Sequence, residues 1–148
     1  MGQQQLLLVI LVTIIVGIAT VVAINIFGTA ATEANRDAVR QDILGAAAQA
    51  QAIWARPTMM GGIGQDFTNL TDIRRLNIPI GSGDEFTSGT GEIQNANGTY
   101  TISAGADGDE LTITGIPTSG PPNIVLIMTL EEVTDGPDEW DFDWGDGT

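Results

Sequence analysis

The chain has 148 residues and a formal charge of −14, unevenly spread: Met1 to Thr32 carry no charged side chain, while Asp and Glu crowd the part after Asp107. Such acidity repels phosphates and anionic lipid headgroups, so no nucleic-acid partner is expected. Cysteine and histidine are absent, which removes disulfides, thiolate metal sites, cysteine nucleophiles, the usual general base and the commonest metal ligand.

The first element is an apolar run from Leu6 to Phe27, LLLVILVTIIVGIATVVAINIF. At a helical rise of roughly 1.5 Å per residue it matches a hydrocarbon core of roughly 30 Å. A cleavable secretory signal has a basic start and a shorter apolar core. Here the start is Met1-Gly2-Gln3-Gln4-Gln5, with no basic residue, and the run is too long. The segment is therefore expected to be retained. The nearest cations, Arg36 and Arg40, follow the run and mix with Glu33, Asp37 and Asp42, so little in the chain orients it across a membrane. A short basic leader once preceding Met1 would supply that orientation.

The helical pattern continues past Phe27. No Pro occurs between Gly28 and Arg56, and Ala dominates, which favours helix. Val39, Ile43, Ala46, Ala50 and Ile53 recur at steps of three and four, with Trp54 widening the stripe. They form one apolar helical face, and Arg36, Asp37, Arg40, Asp42, Gln49 and Gln51 mostly take the remaining surface. Arg56 precedes Pro57, and a residue before Pro leaves the helical region. The pattern predicts one helix from about Gln3 to Trp54, apolar all round in its first half and amphipathic in its second. Ala19 and Ala23, then Ala30, Ala34 and Ala38, are spaced at four, and such rows let helix backbones approach closely.

Residues 57–98 read as a connecting region. A short helix is expected from Asn69 to Leu76, ended by Asn77 and Pro79, and Gly81 to Gly98 is dense in Gly, Ser and Thr, with room for one edge strand. Thr99–Ser103 and Leu111–Thr114 alternate polar and apolar residues around the turn Gly105–Asp109, which predicts a β-hairpin. Ile124–Leu130 is a continuous apolar run, expected as a central strand covered on both faces. Trp140, Phe142 and Trp144 alternate with Asp141 and Asp143 in a final strand, aromatic on one face and acidic on the other. The expected fold is α+β: a long N-terminal helix, 1–56, packed on an antiparallel sheet of about four strands, 99–148, through Val39, Ile43, Ala46, Ala50, Ile53 and Trp54.

This plan resembles a type IV pilin, and the residues carrying the resemblance are Met1 to Trp54. The resemblance implies a structural subunit whose N-terminal helices bundle into a helical filament of identical copies. Leu6, Ile10, Ile14, Gly17, Ile18, Val21, Ile24 and Phe27 would lie in the filament core. It further implies a prepilin peptidase that removes a short basic leader, an N-methylated Met1, an ATP-driven assembly machine, and residence in the inner or cytoplasmic membrane before export to the cell surface. Adhesion, motility or surface attachment would follow. Position 5 departs from the family, which usually places there a glutamate that pairs with a neighbour's N-terminal amine. Gln5 keeps hydrogen-bonding capacity without the charge. Bacterial and archaeal filaments both share the plan. Two alternatives are a single-pass membrane anchor displaying an acidic binding domain and a pseudopilin of a secretion system.

Other chemistry is thinner. Asp141, Asp143 and Asp146, near Asp138 and Glu139, offer oxygen ligands for Ca2+, but their spacing does not fit an EF-hand loop, and a solvated acidic face explains them as well. Asn69-Leu70-Thr71 and Asn97-Gly98-Thr99 match the N-glycosylation acceptor pattern, though Asn97-Gly98 equally suits a turn. Paired carboxylates can hydrolyse glycosides, but nothing in so small a domain suggests the required cleft. No catalytic residue, cofactor or enzymatic activity is expected.

Overall fold

A computed structural model describes residues 2–80, 86–87, 91–131 and 137–147, the side chains of 86, 87, 146 and 147 excepted. Internal contacts divide the chain into two compact units, Met1–Ala34 and Asn35–Thr148. Helix α1 is assigned over Gly2–Trp54. The first unit is the N-terminal stretch of that helix.

In the second unit α1 presents Val39, Ile43, Ala46, Ala47, Ala50, Ile53 and Trp54 to the interior, all buried. Each Ile or Val buried in this way contributes about 1.5–3 kcal/mol. The helix stops where Pro57 takes an extended conformation, φ −60° and ψ 149°. The last turn closes with Arg56 N donating to Ile53 O at 3.3 Å.

Six antiparallel strands follow in simple meander order: β1 (Phe86–Thr87), β2 (Glu92–Gln94), β3 (Gly98–Ala104), β4 (Glu110–Pro117), β5 (Asn123–Glu131) and β6 (Glu139–Gly147). The expected hairpin is β3–β4, with Ile102 opposite Ile113 and Tyr100 opposite Gly115. One face of the sheet carries Ile93, Tyr100, Leu111, Ile113, Ile124, Leu126 and Met128 into the core, all at 2% exposure or less. The other face is threonine-rich, as period-two alternation requires. Gly115 leaves room for the helix side chains: a Cβ there would lie 2.6 Å from Val39 Cγ1 and 2.9 Å from Ile43 Cδ1.

The structure corrects several expectations. Among the described residues there are six strands instead of about four, because the Gly/Ser/Thr-rich stretch contributes β1 and β2, paired through Phe86 opposite Ile93. The Gly81-Ser82-Gly83 loop itself lies outside the described residues. Strand β5 is penultimate and buried on one face only: Ile124, Leu126 and Met128 are enclosed while Val125, Ile127 and Thr129 are half-buried. The expected helix 69–76 is two 3-10 turns, Phe67–Asn69 and Ile73–Leu76. Two side-chain caps cause the break. Asp66 accepts from Thr68 N and Asp72 from Arg74 N, at 2.8 and 3.0 Å, so the backbone restarts before an α-helical turn can propagate. The turns still bury Phe67, Ile73 and Leu76 against the core.

The crowding at Gly115 gives a test. Gly115→Ala adds one methyl into packed side chains and is expected to destabilise the second unit by about 1–3 kcal/mol, read as a lower chemical-denaturation midpoint in detergent. No change in midpoint would show that α1 lies further from the sheet.

Candidate assembly surface

In the first unit every side chain of the apolar run is exposed except the half-buried Ala23. Leu6, Ile10, Ile14, Ile18, Val21, Ile24 and Phe27 are between 47% and 74% exposed. The two threonines within the run are self-satisfied: the Thr13 and Thr20 hydroxyls donate to Val9 O and Val16 O at 2.8 Å. Such back-bonding leaves no hydroxyl seeking water. Gly17 and Gly28 have open space where a Cβ would stand. On one flank Ile15, Ile18, Ala19, Val22, Ala23 and Ile26 line a shallow apolar groove of about 510 Å3.

The small residues do not stop with the lipid-length run. Gly28, Ala30, Ala31 and Ala34 remain exposed. Thr29 and Thr32 hydroxyls donate to Asn25 O and Gly28 O. Gln5 is exposed and helical, and the first turn contains no acidic residue to complement the positive end of the helix dipole. Met1 lies outside the described residues.

In the second unit the anchor is a residue that the periodicity assigns to the outer surface. Asp42 is half-buried, and its Oδ2 accepts three hydrogen bonds: from Tyr100 Oη at 2.6 Å, Asn97 Nδ2 at 2.9 Å and Asn95 Nδ2 at 3.1 Å. Asn95, 7% exposed, also donates to Pro79 O and accepts from Asn97 N and Gly98 N. About two helical turns earlier, Asn35 donates to Asn97 O and accepts from Ser119 N. Two side chains of α1 thus hold the loop before β3 and the turn after β4. The sequence signal for this pin was the concentration of Asn95, Asn97 and the chain's single Tyr within six residues.

Both glycosylation patterns meet competition. Asn97 Nδ2, the atom a glycan would take, is held by Asp42, and Asn69 Nδ2 donates to Ile63 O at 3.0 Å. Asp141 and Asp143 are exposed on β6, and Asp141 Oδ1 accepts from Phe142 N. The Asp146 side chain lies outside the described residues. Among the described residues no three carboxylates come together as metal ligands.

Strand β6 carries a feature that composition alone did not show. Trp140, Phe142 and Trp144 pair with Leu130, Met128 and Leu126, so they share the core face of the sheet. Trp140 is covered: it meets Trp54 edge-on at 5.5 Å and Phe67 at 5.9 Å. Phe142 and Trp144, beside fully buried neighbours, stay 40% and 41% exposed. No protein-family model, curated protein or solved structure matches the chain.

The pin at Asp42 predicts two outcomes. Asp42→Ala removes the acceptor of three donors, two of them on the buried Tyr100 and Asn95, and is expected to lower stability by about 2–3 kcal/mol. Tyr100 is pushed above its ordinary value near 10, first by burial, then by the hydrogen bond to Asp42 and its negative charge. The folded state therefore keeps the phenol proton that the unfolded state releases. Its contribution is complete below pH 10 and drains away as pH rises above it, by about 1.4 kcal/mol per unit. The chain has no Lys, no Cys and one Tyr, so tyrosinate absorbance and an alkaline stability profile both isolate this residue. Tyr100→Phe should flatten that slope; an unchanged slope would refute the assignment.

Proposed function

We propose that the chain is the structural subunit of a type IV pilin-like filament, polymerised through bundling of its N-terminal helices. The observation that carries this reading is the bare apolar surface from Leu6 to Phe27, whose members are roughly half to three-quarters exposed. A soluble monomer rarely leaves a contiguous apolar patch beyond about 300–600 Å2. That surface requires either lipid or other helices.

Three features favour other helices as its final cover. Small residues persist through Gly28, Ala30, Ala31 and Ala34, past the length that a bilayer needs. Lipid gains nothing from small residues, whereas helix packing does. The stretch Met1–Thr32 also contains no charge, so identical helices can close on one another without repulsion in a low-dielectric core. Before assembly the same segment would reside in the inner or cytoplasmic membrane, where a prepilin peptidase and an assembly machine act on it. The filament then displays the second unit outside the cell for adhesion, motility or attachment. Gln5 would serve its neighbour by hydrogen bonding alone.

Sheared surface material imaged by electron microscopy, with mass spectrometry of the N-terminus, separates this reading from its competitors. Fibres that survive detergent and carry an N-methylated Met1 are the expected result. A single-pass anchor would instead become monodisperse in detergent, and a pseudopilin would yield only short assemblies. Ile18→Lys places a charge in the proposed core at a cost of about 2.5–3.5 kcal/mol per copy, and is expected to abolish fibres. Isolated subunits from the unaltered chain, with no fibres on cells, would end the proposal.

A further inference from the structure

The second unit carries two unlike surfaces that complete each other. The first is the knob Arg56–Gly62 after α1. Met59 and Met60 stand 97% and 73% exposed at its tip. The knob is tightly folded: Met60 N and Gly62 N both donate to Pro57 O, and the Arg75 guanidinium donates to Gly61 O. A Cβ on Gly62 would fall 1.8 Å from Arg56 O, so only Gly fits this turn. Two cations, Arg56 and Arg75, therefore flank two bare methionines. Among the described residues neither has a carboxylate within ion-pair distance.

The second surface is the edge of β6. Phe142 and Trp144 lie half-open on the core face, while Glu139, Asp141 and Asp143 alternate with them on the opposite face. Among the described residues no strand pairs with the outer edge of β6. An edge strand of this kind offers aromatic rings, carboxylates and free backbone groups together.

From this complementarity we infer that the Met59–Met60 knob of one copy seats on the β6 edge of the next. Thioether sulfur packs well against aromatic rings, and a guanidinium is attracted both to an indole face and to carboxylates. A second copy is the occupant for an electrostatic reason. A chain of charge −14 repels its own kind over most of its surface, and at the knob the exposed Arg56 and the half-buried Arg75 place positive charge beside apolar bulk. The acidic partner that it fits is present on every copy. Because knob and edge differ, the contact is heterologous and propagates instead of closing as a twofold dimer. The high local concentration of copies rests on the filament reading; the contact itself does not.

The test exploits the absence of Cys in the chain. Full-length Met59→Cys/Phe142→Cys is expressed on cells, oxidised mildly and run on non-reducing gels. Met59 is 97% exposed and Phe142 is half-open, and Met60 and Trp144 keep the thioether–aromatic contact in the double variant. The expected result is a ladder to trimers and beyond, absent from either single variant and from Met59→Cys/Ser103→Cys, whose second thiol sits on the outer face of β3. Adding Arg56→Glu should lower the yield about threefold, the scale of a rim ion pair, and Asp143→Arg should restore it. Fibres without a ladder overturn this contact and leave the filament standing. A ladder on cells without fibres upholds the contact and sinks the filament. Dimers alone, or a ladder equally strong in the Ser103→Cys control, overturn the propagating arrangement.

Discussion

Apolar helix surface must be covered, and the two parts of α1 meet that requirement differently. From Val39 to Trp54 the chain supplies its own cover: a sheet face of Ile, Leu, Met and Tyr residues exposed by 2% or less. From Leu6 to Phe27 it supplies none, and side chains of the same type stand open. The contrast is a division of labour written in residue types. A helix that needs one partner is amphipathic; a helix apolar on every side is covered all round, by lipid or by protein. The first part is therefore the part that the described residues leave uncovered.

The sheet does more than cover the stripe. Apolar contact is non-directional, so a stripe of Ala, Val and Ile could slide along a flat face with little penalty. Asp42 and Asn35 remove that freedom. Asp42 gathers three donors from Asn95, Asn97 and Tyr100, and Asn35 ties Asn97 O to Ser119 N. A shift of α1 by one turn would break all of these bonds and leave the buried groups of Tyr100 and Asn95 without their acceptor on α1, at about 1–3 kcal/mol each. Polar bonds fix the register while apolar burial supplies the bulk of the stability. The fixed register also presents β6 as it is. Trp54 reaches Trp140 at one end of the strand, while Phe142 and Trp144 stay half-open further along.

What the sequence revealed and concealed follows from the range of the interactions. The helix stripe and the β3–β4 hairpin were legible because their signals are local: spacings of three and four, or alternation about Gly105–Asp109. Where β1 and β2 stand the sequence left room for one edge strand without placing it, since Phe86 and Ile93 gain strand character only from each other and from Tyr100. The run Ile124–Leu130 misled because apolar residues on both faces usually signal two covered faces. In the structure Val125 and Ile127 instead share the outer face with threonines. Asp42 misled in the opposite sense, since a carboxylate on a helix reads as solvent-facing until its donors are placed. The 3-10 turns at 67–69 and 73–76 were obscured because two capping aspartates compete with a helical pattern that Ile73, Leu76 and Leu70 otherwise suggest.

Charge placement then follows the same logic as burial. With −14 per copy, repulsion between copies of the proposed filament acts over a Debye length of about 10 Å at 0.1 M salt and about 3 Å at 1 M. Apolar and close-packing contacts act only at touching distance and are not weakened by salt. A polymer of such chains holds when its short-range contacts lie where charge is absent. The carboxylates must also stay on surfaces that salt can reach. Met1–Thr32 meets the first condition by carrying no ionisable side chain. The exposed carboxylates of β6 meet the second. Absence of lysine sharpens the division, because the few cations are arginines whose planar guanidinium can pair while lying against apolar or aromatic surface. An acidic exterior thus need not oppose assembly in a salt-rich medium; it confines close approach to the few surfaces from which negative charge has been withheld.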